Sequence, residues 1–115
     1  MNLYFKSSNF KSNKDLASFI FVKFKEFGLN PTEPQNEEFM YVIETTIEEE
    51  CVFFYMGKND EPSEPALWQI WPEQSIPFFK RIFGKVSKEA EQKAKSYLEE
   101  IIHSIQGVSA VEWSI

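Results

Sequence analysis

The chain reads as a two-layer α+β domain: a four-stranded mixed sheet with two main helices on one face, in the order α-β-β-β-α-β. Three observations predict this. Residues 87–107, SKEAEQKAKSYLEEIIHSIQG, place Ala90, Ala94, Tyr97, Leu98, Ile101, Ile102 and Ile105 within one arc of about 140° when wound at 100° per residue. Residues 14–27 carry a second single stripe, Leu16, Ile20, Phe24 and Phe27. Between and after them lie four strand-like segments, three alternating with a period of two, the signature of half-buried strands, and one, CVFFYMG, rich in β-formers. Helices with one apolar stripe must bury it against something, and packing both on one sheet face satisfies both.

Each element has its own signals. Residues 1–12 are expected to be a loose lead-in to a single domain spanning 1–115. The first helix runs from about Lys14 to Phe27, capped by Ser12 or Asn13, stopped by Gly28 and kept from restarting by Pro31. Phe21 and Val22 fall outside its stripe. LNPTEPQNEE, with two prolines and no periodicity, is a loop. Phe39 to Ile47 then alternates, with Phe39, Tyr41, Ile43, Thr45 and Ile47 on one face. Glu48 to Glu50 is short enough for a hairpin, and CVFFYMG returns as a second strand.

After the proline-broken turn KNDEPSEP, ALWQIWP forms a third strand, with Leu67, Gln69 and Trp71 facing one way and Ala66, Trp68 and Ile70 the other. SIPFFKRIFG admits a short extra helix at 76–83. The long helix follows, with Ser87 as N-cap and Gly107 as stop. VSAVEWSI closes the chain as a fourth strand, which a right-handed crossover would set parallel to the third.

Composition excludes several classes. One cysteine, Cys51, rules out an internal disulfide, and the N-terminus has no long apolar run with a cleavage site, so a reducing, cytoplasmic setting is expected. No membrane association is expected, since a spanning helix needs about 20 apolar residues. His103, the only histidine, lies mid-way along the wet face of its helix and reads as a surface residue. Cys51 follows three glutamates, a setting that raises a thiol pKa and blunts its nucleophilicity. One Cys and one His cannot build a structural zinc site, the acidic stretches lack the ligand alternation of a calcium loop, and isolated glycines make no phosphate cradle. No catalytic residue, metal or cofactor is therefore expected. An enzyme would need a carboxylate of raised pKa in a pocket, with Glu44 the candidate.

Charge is the remaining signal. Residues 33–64 hold ten acids against Lys58 alone, a net −9, while 1–32 carry +3 and 65–115 are neutral. A gathered negative field speeds encounter with a basic partner, and binding energy concentrates in a few aromatic anchors. Glu44, Glu48, Glu49, Glu50, Asp60 and Glu61, with Tyr41, Tyr55, Trp68 and Trp71, are the candidate contacts.

The αβββα order resembles a double-stranded RNA-binding domain, and KAK at Lys93 to Lys95 is similar to the basic opening of that family's second helix, but nucleic-acid binders concentrate Lys and Arg and this chain totals −6. Size, acidity and element order are similar to those of type III secretion chaperones, which implies a homodimer engaging an effector. Charge, size and the lack of active-site residues resemble acidic bacterial immunity proteins, which implies a non-catalytic, antitoxin-type inhibitor covering a basic toxin such as a nuclease. The inhibitor reading is preferred, with the chaperone as alternative.

Overall fold

A computed structural model describes residues 1–75 and 88–115. Its elements are β1 (Asn2–Lys6), α1 (Asn13–Glu26), β2 (Gln35–Glu37), β3 (Met40–Ile47), β4 (Glu50–Lys58), β5 (Leu67–Ser75), α2 (Glu89–His103) and β6 (Ser109–Ser114). The α+β class is as expected. The sheet is larger than expected, with six strands in the order β2-β3-β4-β5-β1-β6, and every neighbouring pair is antiparallel rather than mixed.

The main correction is β1. What reads as a loose lead-in is a strand inserted between β5 and β6, with Leu3 opposite Ile70 and Phe5 opposite Trp68. Leu3 and Phe5 are both fully buried, so their burial ties the N-terminus down. β6 does run parallel to β5, as the crossover requires, but β1 lies between them and pairs antiparallel with each. The second addition, β2, is a three-residue exposed edge strand within the proline-flanked loop, joined to β3 through Glu38 and Phe39.

Both helices obey their stripes. In α1 the Ser12 hydroxyl accepts from the Asp15 amide at 3.1 Å, and Leu16, Ala17, Ile20 and Phe24 are buried. Gly28 and Gly107 adopt φ of +85° and +80°, the left-handed conformation that ends a helix. In α2, Ala90, Ala94, Leu98, Ile101 and Ile102 are buried. Lys88 stands at its N-cap without a side-chain bond. Ser87 and the short helix expected at 76–83 lie outside the described residues.

The core fills the space between these helices and one sheet face. Ile43, Val52, Phe54, Met56, Trp68 and Ile70 point into it, and Phe54 meets Phe24 with ring centroids 4.7 Å apart. Of the two residues outside the α1 stripe, Val22 is solvent-facing and Phe21 is half-buried with the Lys25 ammonium 4.6 Å above its ring.

Candidate functional site

The alternate residues of the same strands build the second sheet face, which no helix among the described residues covers. Tyr55 lies directly opposite Trp71, and Phe53 opposite Glu73. The Tyr55 and Trp71 rings stack with centroids 5.5 Å apart and planes 14° from parallel, and Phe53 lies 6.5 Å from Tyr55. All three rings are half-buried. Burial raises the Tyr55 hydroxyl pKa, and the carboxylates of Glu73 and Glu37 raise it further, so negative charge borders the stack.

This face runs into the end of the sheet where the β2–β3 turn meets the β4–β5 connection. The two-residue turn puts Glu38 at a φ of +59° and leaves Phe39 79% exposed. A cleft of about 740 Å³ lies beside it, lined by Phe39 and the acids Glu38, Asp60, Glu61 and Glu64, with Lys58. A smaller cleft of about 230 Å³ connects Phe39 and Asp60 to Trp71. None of Glu37, Glu38, Asp60, Glu61 or Glu64 forms an ion pair among the described residues.

Asn13 holds this end together. Its amide nitrogen donates to the Phe39 carbonyl at 3.0 Å, and its oxygen accepts from the Lys58 amide at 2.8 Å. Asn13 thus occupies the place of a ladder partner where β3 and β4 part. A side chain on Gly57 would come within 3.3 Å of that amide and of the Phe39 carbonyl, so glycine there leaves room for the clamp.

The expected contact residues divide into groups. Tyr55 and Trp71 are together on the helix-free face, and Asp60 and Glu61 are at its edge. Glu48, Glu49 and Glu50 lie at the opposite end of β4, so the ten acids do not form one patch. Glu48 and Glu49 form a tight turn with φ of 52° and 65°, and Glu48 is paired with Lys93, whose pKa that bond raises. Tyr41 and Trp68 correct the expectation most directly. Tyr41, opposite Met56, packs against the core, and Trp68 is 1% exposed with its indole N–H donating to the Ser7 carbonyl at 3.1 Å. Trp68 is buried because β1 arrives beside it, a strand the sequence reading lacked.

Glu44, on the helix-free face, accepts from the Cys51 thiol at 3.3 Å. Burial first, then that hydrogen bond and the nearby negative charge, push Cys51 up from 9.0 to about 11. A thiol so protonated is a poor nucleophile. His103 is exposed on α2. Among the described residues, no three His, Cys, Asp or Glu side chains are placed to share a metal ion, and no helix is long and apolar enough to cross a membrane.

Sequence reasoning missed Phe39, Phe53, Glu37, Glu38, Glu64, Glu73 and Asn13. Phe53 was accessible by parity, two residues from Tyr55 on one strand. Phe39 had no such signal, since a turn residue cannot be told from a strand residue by alternation. No protein-family model, curated protein or solved structure matches the chain.

Proposed function

We propose that the protein is a non-catalytic, acidic protein-binding module that grips a basic partner with the helix-free face of its sheet. The most concrete version is a bacterial immunity or antitoxin-type inhibitor covering the active site of a basic toxin such as a nuclease, with carboxylates standing where nucleic-acid phosphates would lie. One observation carries this reading: the Tyr55–Trp71 stack sits half-exposed on a face bordered by Glu37 and Glu73. Rigid stacked rings supply anchoring area at little entropic cost, and the acids supply steering and selectivity.

The test is to purify the partner from the native cell and measure its affinity for Trp71→Ala and for Glu37→Gln/Glu73→Gln. Losses of about tenfold or more from each, steeper at low salt for the double variant, support the reading. Unchanged binding by both overturns it. The same exposed aromatic face also suits the secretion-chaperone alternative, in which a second copy covers it. Light scattering of the purified protein separates the two, because the chaperone reading requires a homodimer that Trp71→Ala dissociates.

A further inference from the structure

We infer that the smaller cleft beside Trp71 is an anchor pocket for one arginine side chain of the basic partner, an inference that rests on the reading above. The cleft holds about 230 Å³ and is walled by Phe39, Met40, Gln69 and Trp71, with Gly57 and Asp60 also lining it. That volume is below the roughly 300–1,000 Å³ of small-molecule sites, so it suits a single long side chain better than a cofactor. Gly57, opposite Gln69, contributes no side chain to fill the space.

Two parts of its frame are set before anything binds, the backbone at Phe39 and Lys58 and the plane of Trp71. The Asn13 amide fixes the Phe39 carbonyl and the Lys58 amide, at 3.0 and 2.8 Å, and the stack on Tyr55 fixes the plane of Trp71. Preorganised walls spare a ligand the cost of ordering them.

The chemistry selects the occupant. Trp71 and Phe39 offer ring surfaces and Asp60 offers a carboxylate, while Lys58 is the one base lining the cleft. Beyond Asp60, the adjoining cleft adds Glu38, Glu61 and Glu64, so the local field stays negative despite Lys58. An ammonium would satisfy the carboxylate but keep its hydration shell. A guanidinium is flat and weakly hydrated, so it lies on an indole while its N–H groups reach a carboxylate in plane.

Oligoarginine and oligolysine peptides of equal length, titrated calorimetrically at about 150 mM salt, test this. Oligoarginine should bind about fivefold tighter than oligolysine, and both Trp71→Leu and Asp60→Asn should shrink that preference toward unity. Asp60→Asn lies in a surface connection and keeps the test valid if Trp71→Leu perturbs folding. Equal affinity for the two peptides, or a preference that survives both substitutions, overturns the arginine pocket and leaves the basic-partner reading standing. Failure of both peptides to bind overturns the pocket and counts against the basic partner as well.

Discussion

Phe53 and Phe54 are neighbours in β4, yet they belong to different environments. Phe54 is fully buried against Phe24, beneath the helices, whereas Phe53 is half-buried beside Tyr55 on the face that no described helix covers. Trp68 and Trp71 in β5 repeat the contrast, one sealed beside β1 and the other stacked in the open. On the covered face aromatic rings fill space among aliphatic side chains. On the other, rings of the same kind stand among carboxylates. Alternation along a strand assigns a residue to a face, but only the layer above decides whether that face is core or surface.

The sharpest way to break the comparison is to truncate both phenylalanines. Phe54→Ala should cost about 3–5 kcal/mol in urea unfolding, the loss expected for a filled core site. Phe53→Ala should cost about 1 kcal/mol. Equal losses would mean that the second face is as well covered as the first.

Cys51 probes the helix-free face chemically. With its pKa raised from 9.0 to about 11, alkylation at pH 8 should run roughly a hundredfold slower than for a thiol of ordinary pKa. Glu44→Gln should recover part of that rate, because it removes the negative charge but not the desolvation. Linkage has a definite sign here: a folded-state pKa above the unfolded value stabilises the fold fully below pH 9.0, and that contribution is lost as pH rises toward about 11. Cys51→Ala should flatten that part of the stability profile.

Asn13 tests the end where the two faces meet. Asn13→Ala removes bonds to two backbone groups and should cost about 1 kcal/mol, with faster hydrogen exchange at the Lys58 amide. Unchanged exchange there would mean that the clamp is not needed to join the β2–β3 turn to β4. The smallest effect is expected at the other end of the sheet. Glu49 sits at a φ of 65°, where an L side chain is strained, so Glu49→Gly should raise stability by about 0.5 kcal/mol while leaving partner binding at the Trp71 face unchanged.

Much of the architecture was legible because it depends on local periodicity. The stripes of α1 and α2, the caps at Ser12, Gly28 and Gly107, and the alternation in β3, β4 and β5 all follow from neighbours within a turn or a pleat. The pairing of Tyr55 with Trp71 on one face was within reach for the same reason. β1 was not legible: five residues of alternation are a weak signal, and its partners lie more than sixty positions away in β5 and more than a hundred in β6. The site shared that fate. Asp60 and Glu61 joined Phe39 through the chain's return past Asn13, while Glu48 to Glu50 were carried to the far end by the length of β4.

By itself, the sequence determined the two long helices and the four strands other than β1 and β2, which side of each is apolar, and that the acids concentrate in the central third. Tertiary structure alone decided that the N-terminus is an interior strand between β5 and β6, that Trp68 is core while Trp71 is surface, and that the acids divide between two ends of a sheet. The physical reason is range. Periodicity and capping act over a few residues, whereas strand order, layer coverage and the meeting of charges depend on contacts between segments that the chain keeps far apart until it folds.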